Sequence, residues 1–408
     1  MSLEHIRIPL LRDWHTHPLL YAAFLDGIDL ARDSAETRDQ AVARIRAHTR
    51  GPGWTIAYGW NSGRYLLAKD EFDDLPPLVV LNLSLHGLIV NDAGRALLRR
   101  SDPAVAGHLE DQDWIERNLR RVLNLFANQG ASPERLQRFF EWLLVEHGVY
   151  HAEEMLLVGE NEIRWFEEAG LAARTRFWAA PEQYDALPRS LQEKVDGIKL
   201  FADGALGART AALHQPYRGS TDAGILLYEP SELAGLLARY LGAGKPVAVH
   251  AIGDRAIDQV VSAVEMARPP AGSEIRIEHA QLISEPTARR AKALGIRLCM
   301  QPNFSDESVY YADRFPTGYP ERNNPFRMLI DRVGYVPGVD LLFGSDGMPH
   351  GLREGLRQSL FPPLAGQRLT IAEFTAGYCL PDHEAGHLEV QIDRDARQVA
   401  HRVVLPEG

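Results

Sequence analysis

The sequence predicts an α/β fold, a (β/α)8 barrel, and two observations support this prediction. Along most of the 408 residues, short apolar runs typical of buried β-strands alternate with amphipathic stretches typical of helices, which is the pattern of βα units. Polar residues able to bind metal follow or end several of the apolar runs. A barrel of this kind collects side chains from the carboxyl ends of its strands at one mouth.

Strand and helix alternate most regularly from Lys199 onward, where three strand-helix pairs precede a strand, a long insert and a last strand. The predicted strands are 6–14, 55–59, 78–84, 148–154, 174–180, 197–201, 245–250, 274–279, 296–302 and 339–346. The predicted helices are 133–148, 190–195, 231–244, 254–268 and 285–295.

Composition disfavours several classes of protein and partner. Hydrophobic residues make up 45% of the chain and charged residues 24%, as in ordinary globular proteins. The net charge of −11 disfavours nucleic acid or an anionic membrane as a partner. The two cysteines, Cys299 and Cys379, exclude a disulfide framework and a cysteine-rich zinc site. With no signal segment or membrane span predicted, we expect a reduced, cytoplasmic protein.

We expect a barrel domain over residues 1–380 and a tail over residues 381–408 that can form short strands. The insert at residues 303–328 is aromatic-rich and longer than about 15 residues, which favours a lid over the substrate. The predicted substrate contacts are Tyr311, Tyr319, Arg209 and Arg327. The two arginines would pair with an anionic group of the substrate, or alternatively form surface salt bridges.

Four histidines at predicted strand ends are candidate metal ligands. His15 and His17 are two residues apart, so both side chains can point to the same side of a strand and reach one ion. His250 and His279 each close a strand and lie about one βα unit apart. A single histidine in such a place is more often a hydrogen-bonded core residue, but four at matching strand ends favour a metal site.

Lys199 and Asp346 extend this candidate site. Lys199 lies inside a predicted strand, where it could form a salt bridge with Asp203 or Asp196, or carry a carbamate that bridges two metals. Asp346 could bind metal and accept a proton from water, or cap the following segment. Asp254 could orient the ligand His250, or be an ordinary helix-start charge; the same choice applies to Glu278.

Several longer strings resemble the amidohydrolase superfamily, in particular the branch that includes N-substituted formamide deformylases. They are KLFADGALGARTAAL (199–213), VHAIGDRAID (249–258), RIEHAQLIS (276–284) and MQPN (300–303). The resemblance implies a TIM-type (β/α)8 barrel with one or two divalent ions, zinc first and manganese or iron as alternatives. The ligands that it implies are His15, His17, carbamylated Lys199, His250, His279 and Asp346.

Two departures from the family pattern are visible. Only 14 residues precede His15 and the tail only faintly resembles closing strands, so we expect the flanking β-sandwich of the family to be reduced or absent. Gly347 and Met348 stand where relatives often have Trp-Pro after the last ligand, so the substrates of relatives should not be transferred to this chain.

The implied chemistry is hydrolysis of an amide or other C–N bond of a small molecule by water that a metal activates. Asp346 would be the general base and acid, and His86 would donate a hydrogen bond to the oxyanion, unless it is a loop histidine without a role. A lactonase or esterase, a deaminase, and a non-catalytic binding or regulatory protein are the alternatives. Lys199 disfavours a deaminase, because deaminases of this superfamily generally lack that ligand. A homodimer is the expected assembly.

Overall fold

The computed structural model describes residues 3–31, 37–127, 130–157, 159–381 and 385–406. Its strands are β1 (Leu3–Pro9), β2 (Leu11–Thr16), β3 (Ile28–Asp29), β4 (Thr55–Trp60), β5 (Leu78–Asn82), β6 (Leu88–Val90), β7 (Val149–Leu157), β8 (Thr175–Ala179), β9 (Gly197–Phe201), β10 (Val247–Ala251), β11 (Ile275–His279), β12 (Arg297–Met300), β13 (Leu341–Phe343), β14 (His387–Asp393) and β15 (Gln398–Val404).

The α-helices of the same residues surround and connect these strands. They are α1 (Pro18–Ala23), α2 (Arg38–His48), α3 (Asp92–Ser101), α4 (Pro103–Gly107), α5 (Gln112–Arg117), α6 (Leu119–Ala127), α7 (Pro133–His147), α8 (Glu160–Glu168), α9 (Pro181–Ala186), α10 (Arg189–Gln192), α11 (Pro230–Gly242), α12 (Asp254–Ala267), α13 (Glu285–Ala293), α14 (Glu307–Tyr310), α15 (Leu352–Leu360) and α16 (Ile371–Tyr378).

Eight parallel strands form the barrel, which confirms the predicted (β/α)8 fold. Their order in the sheet is β2, β7, β8, β9, β10, β11, β12 and β13, so every neighbour in the sheet is also the next barrel strand along the chain. Every residue of β10 and of β11 is buried. Burial on both faces explains why β10 is a nearly continuous apolar run in the sequence, whereas β11 buries the charged residues Arg276 and Glu278.

Side-chain and backbone hydrogen bonds close the seam between the first and last barrel strands, which do not pair as a ladder. The Asp13 carboxylate accepts hydrogen bonds from the Ser345 amide at 2.8 Å and the Ser345 hydroxyl at 2.5 Å. The Asp346 amide donates to the His15 carbonyl at 2.7 Å. Gly344 permits this approach, because a Cβ atom there would lie 2.5 Å from the His15 nitrogen. The seam therefore places residues 15 and 346 side by side.

The flanking sheet is present in reduced form, as one three-stranded antiparallel sheet of β1, β14 and β15. Alternate residues of β14 are buried, which is the pattern of a sheet with one covered face. The single strand predicted over 6–14 is in fact two. β1 ends at Pro9 and pairs with β14, whereas β2 begins at Leu11 and enters the barrel.

Two further predicted strands lie outside the barrel. The runs at 55–59 and 78–84 form β4 and β5 of a separate four-stranded sheet with β3 and β6. This sheet has its own apolar core, which includes Ile45, Phe72 and Val80. An apolar run shows that a strand is buried but not which sheet it joins, so the sequence could not separate these strands from barrel strands.

The insert at residues 303–328 is largely helical and packed. It contains a 3₁₀ turn (Pro302–Asp306), α14 and a second 3₁₀ turn (Pro320–Arg322). The rings of Tyr311, Phe315 and Tyr319 are buried in one apolar cluster. Among the described helices, none has the length and apolar character that crossing a membrane requires.

A buried charge network runs through the inside of the barrel. The Arg276 guanidinium is fully buried and donates to Glu153 at 2.7 Å and to Glu278 at 2.8 Å. Glu153 also pairs with Arg12 at 2.9 Å. Burial disfavours the ionised form of Glu153, but the surrounding arginines outweigh it and lower the pKa of this carboxyl. The network links β7 to β11 across the barrel.

Replacing Arg276 by methionine should lower the free energy of unfolding by about 3–5 kcal/mol, because two carboxylates would stay buried without their shared partner. The shift of the urea midpoint measures this loss. Arg402→Met removes an exposed ion pair with Glu389 and is the matched control, whose midpoint should not change. Equal midpoints for the two variants would contradict a stabilising role of the network.

Candidate metal centre

The six predicted ligands converge at the carboxyl ends of the barrel strands. They are His15 and His17 at the end of β2, Lys199 in β9, His250 in β10, His279 at the end of β11 and Asp346 just after β13. The structure thus brings together residues that are up to 331 positions apart in the chain, counting from 15 to 346.

Distances between the imidazole rings and Asp346 define the centre. The ring centroids of His15 and His279 are 4.7 Å apart, and those of His279 and His250 are 4.5 Å apart. The Nε2 atom of His17 is 3.0 Å from Oδ1 of Asp346, and the Nε2 atom of His15 is 3.6 Å from the same oxygen. Ligand atoms of His15, His17 and Asp346 all lie within 4.8 Å of one another, close enough to share one cation.

Hydrogen bonds to the outer nitrogens fix the tautomers of two ligands. The Nδ1 atom of His15 lies 2.6 Å from Oε2 of Glu278, and the Nδ1 atom of His279 lies 2.8 Å from Oε1 of Gln301. With the proton on Nδ1, the lone pair is on Nε2. Burial lowers the pKa of both rings well below the usual value and keeps them neutral, which is the form that binds metal.

His250 has the opposite tautomer, with its proton on Nε2. Its Nε2 atom lies 3.0 Å from the Gly204 carbonyl oxygen, so this nitrogen carries the proton and Nδ1 carries the lone pair. The Asp203 carboxylate lies 3.4 Å from the same Nε2 atom and accepts hydrogen bonds from the Ile252 and Gly253 amides. Burial raises the pKa of Asp203 to about 7. Asp203 therefore supports His250, a role that the sequence did not indicate.

Lys199 has an unusual environment for a lysine. It is buried, and its Nζ atom has no hydrogen-bond partner among the described residues. Burial lowers the pKa of Lys199 to about 8, which raises the fraction of neutral amine. Neither predicted salt bridge forms, because Asp203 binds backbone amides and Asp196 binds Arg176 and the Phe177 amide. An orphaned buried amine among ligands is what a carbamylated lysine requires.

Two ligands lie in strained backbone positions. His279 has a φ of 72° and Asp346 has a φ of 55°, both in the left-handed region that non-glycine residues seldom adopt. Such strain persists where surrounding structure imposes it, and it is concentrated at functional sites. The donor set, the fixed tautomers and the orphaned amine together fit one or two divalent ions.

A cavity of about 40 Å³ lies against this centre. Its wall is mostly apolar and contains residues such as Leu85, Leu119 and Phe201. No lysine or arginine is among the described residues that line it.

His86 lines the cavity and is held by Glu116. The Nδ1 atom of His86 lies 2.7 Å from Oε2 of Glu116, whose other oxygen accepts a hydrogen bond from the Thr210 hydroxyl at 2.6 Å. Burial disfavours protonation of the ring, but the Glu116 carboxylate outweighs it and raises the pKa of His86. His86 is thus oriented with its Nε2 side available, and the ring centroid lies 5.6 Å from that of His250.

None of the four predicted substrate contacts lines the cavity. The Arg209 side chain is exposed, and Arg327 donates to Glu373 at 2.7 Å. Tyr311 and Tyr319 are buried in the apolar cluster of the insert. Aromatic rings gain more free energy by packing under the insert than by facing an open cavity, so their abundance did not indicate contact with substrate.

Asp254 begins α12, which agrees with the alternative of a helix-start charge, and no described hydrogen bond joins its carboxylate to His250. Its carboxylate accepts hydrogen bonds from the Tyr319 hydroxyl at 2.8 Å and from Arg322 at 2.9 Å, so it fastens the insert. Gln281 and Glu307 line the cavity but were not predicted. Gln281 lies in the RIEHAQLIS string, so it could have been found two residues after a ligand. No sequence pattern around Glu307 indicates that this residue lines the cavity.

Comparison with known proteins identifies the family of this chain. The profile of the Amidohydrolase family (Amidohydro_3) matches residues 6–353. The chain belongs to the amidohydrolase family.

Two curated relatives carry the same family resemblance. The chain is 26% identical over 336 residues to the Bacillus subtilis (strain 168) amidohydrolase-like protein YtcJ, and 31% identical over 345 residues to the N-substituted formamide deformylase of Arthrobacter pascens. Each alignment covers 73% of this chain and 63% of the relative, so the match spans less than two thirds of the relatives' length. The resemblance predicted from the sequence strings is confirmed.

A solved structure shares the fold. A metal-dependent hydrolase from Pyrococcus furiosus superposes with a TM-score of 0.63 over 91% of this chain and 80% of its own, at 23% sequence identity. At that identity the likeness concerns the architecture, and it agrees with the eight-stranded parallel barrel described above.

Gln301→Leu should weaken metal binding by about 10- to 100-fold, because the His279 ring would lose the acceptor that fixes its tautomer. Competition with a chromophoric chelator measures the affinity. Gln259→Leu is the matched control, since this buried glutamine donates to the Tyr228 carbonyl on the outside of the barrel. Unchanged affinity in Gln301→Leu would show that the hydrogen bond does not orient the ligand.

Proposed function

We propose that this protein is a metal-dependent hydrolase that cleaves an amide or other C–N bond of a small molecule. The supporting observation is the convergence of four histidines, an aspartate and a buried lysine at one barrel mouth, beside a cavity; the lysine has no hydrogen-bond partner among the described residues. Family membership supports the same reaction class. The Arthrobacter pascens relative, by its name, acts on N-substituted formamides, which makes such compounds the first substrates to test.

The proposed ligands are His15, His17, His250, His279, Asp346 and the carbamate of Lys199. One or two divalent ions would bind, with zinc preferred by a set of imidazole and carboxylate donors, and manganese or iron as alternatives. A divalent ion held by these residues would supply a water molecule of lowered pKa and a positive charge for the carbonyl oxygen of the substrate. Lys199 would contribute through its neutral amine, which adds to carbon dioxide with loss of one proton.

The side chains have distinct proposed roles. Asp346 accepts a proton from the attacking water and returns it to the nitrogen that leaves. His86 donates a hydrogen bond from Nε2 to the oxygen on which negative charge develops, and the Glu116 carboxylate favours its protonated form. The apolar wall limits access of bulk water to this hydrogen bond, which strengthens it.

An amide-versus-ester panel separates this proposal from the lactonase or esterase alternative. The zinc-loaded protein should hydrolyse N-substituted formamides and acetamides at a higher kcat/KM than esters or lactones of equal size. Release of ammonia from a ring-bound amino group, with no acyl cleavage, would instead indicate a deaminase. Lys199 remains the residue that disfavours that alternative.

Metal analysis tests the alternative of a non-catalytic binding or regulatory protein. The purified protein should contain one or two equivalents of a divalent metal and regain activity when zinc or manganese is restored after chelation. Protein that holds no metal, and that is inert with both metals, would favour the non-catalytic alternative.

Lys199→Ala should lower turnover by more than the roughly 100-fold loss typical of an outer-shell partner, because a bridging ligand is removed. Short carboxylic acids such as acetate should restore part of the rate by occupying the space of the carbamate. Lys194→Ala, at an exposed lysine paired with Glu167, is the control and should be fully active. An unchanged rate in Lys199→Ala would remove this residue from the site.

Asp346→Asn should lower kcat by about 10²- to 10⁴-fold, because an amide cannot accept the proton of the attacking water. Turnover of an N-substituted formamide, together with metal content by elemental analysis, measures the effect. A variant that binds metal normally and keeps its rate would show that another group is the base.

A further inference from the structure

Two hydrogen-bond acceptors lie on the cavity wall and take no part in the proposed chemistry. Glu307 begins α14, in the insert, and Gln281 follows β11. Both side chains line the cavity that holds the candidate metal centre. The Nε2 atom of Gln281 donates to Oε2 of Glu307 at 2.7 Å, so the two form one unit.

The surrounding hydrogen bonds settle which way the Gln281 amide points. Its Nε2 atom also donates to Oδ1 of Asn323 at 3.0 Å, and the amide nitrogen of Asn323 is used by the Phe304 carbonyl at 3.0 Å. The Gln281 side chain is 0% exposed, and its Oε1 atom has no hydrogen-bond partner among the described residues. An unsatisfied buried acceptor is costly, which indicates that a donor from outside the described chain belongs there.

The charge of Glu307 is likewise unbalanced. No described residue forms an ion pair with it, and no lysine or arginine lines the cavity. The Arg314 guanidinium lowers the pKa of Glu307 slightly from a distance. It donates a hydrogen bond to the Gly207 carbonyl at 2.7 Å and forms an ion pair with Asp313. The rest of the wall is largely apolar. A ligand that satisfied this wall would bring hydrogen-bond donors and positive charge on an otherwise apolar body.

We propose that Glu307 and Gln281 bind a protonated amine of the substrate, remote from the bond that is cleaved, so that the protein prefers amides bearing a second, cationic nitrogen. This inference rests on the proposed amide hydrolysis and specifies its substrate class. An ammonium group donates to Oε1 of Gln281 and to the Glu307 carboxylate, which are both acceptors. No lysine or arginine is among the described residues of the cavity lining, so an anionic group beside Glu307 would have no counter-charge there.

The electrostatics of Glu307 agree with this role. Burial raises the pKa of Glu307 to about 7, with a smaller contribution from Asp346, and the hydrogen bond from Gln281 offsets only part of the rise. A cation in the cavity would stabilise the ionised form of Glu307, because the buried negative charge would then have a partner. Glu307 is a specificity-determining residue in this proposal, and it does not touch the reacting atoms.

A matched pair of substrates tests the proposal on the zinc-loaded protein. N-formyl-1,4-diaminobutane carries a terminal ammonium, and N-pentylformamide has the same length without charge. The formyl diamines with two to five methylene groups scan the distance between the reacting carbonyl and Glu307. The cationic series should contain a substrate with a higher kcat/KM than its neutral counterpart.

Glu307→Gln should lower kcat/KM for that cationic substrate by about 10- to 100-fold, chiefly through KM, and change the neutral substrate by less than about threefold. Glu321→Gln, at an exposed glutamate of the same insert, is the control and should leave both unchanged. Equal losses for both substrates, or no preference for the cation, would overturn the proposal.

A binding measurement keeps this test separate from the proposed function. Pentylamine should raise the melting temperature of the zinc-loaded protein more than pentanol does, and Glu307→Gln should abolish the difference. If no amide is hydrolysed but this difference is present, the proposed reaction fails while the amine site stands. If amides are hydrolysed and the difference is absent, the amine site fails alone.

Discussion

Closure of the barrel between its first and last strands is the constraint on which the site depends. The Asp13 carboxylate receives the Ser345 amide and hydroxyl, and the Asp346 amide reaches the His15 carbonyl. These hydrogen bonds join the first and last barrel strands, in place of the regular backbone hydrogen bonds that join the other neighbours in the sheet. Without them, the last ligand would not lie beside the first two, since nothing local joins residues 15 and 346. The position of Asp346 beside His15 and His17 is therefore a consequence of closing the sheet.

Strand β11 contains a predicted metal ligand and also a side chain that holds another predicted ligand in place. Glu278 precedes the predicted ligand His279 in β11, and its carboxylate holds Nδ1 of His15 at 2.6 Å. Arg276, two residues earlier, neutralises Glu278 and connects it to Glu153. One short strand thus supplies a predicted ligand, the side chain that holds another predicted ligand, and the counter-charge of that side chain. These roles explain why charged side chains lie inside the barrel although β11 is buried.

Sequence patterns predicted the barrel and its ligands because both depend on local, repeated features. A buried strand is apolar over its own length, and a metal ligand of the family lies at a recognisable place after it. The same reasoning found β4 and β5, but it did not show that they pair in a sheet outside the barrel. It also did not show that Tyr311 and Tyr319 of the insert are buried in an apolar cluster, while Glu307 of the same insert lines the cavity. A residue's type reveals that it will be buried, but not which surface buries it.

By itself, the sequence determined the fold class and the family, and it predicted six metal ligands, because each of these follows from strings of neighbouring residues. Only the tertiary structure decided what surrounds them. Gln301 with His279, Asp203 with His250, and Glu307 with Gln281 are contacts between separate segments, fixed by how strands and loops meet in space. Such pairings depend on packing and on desolvation across the whole barrel, and no local pattern encodes them.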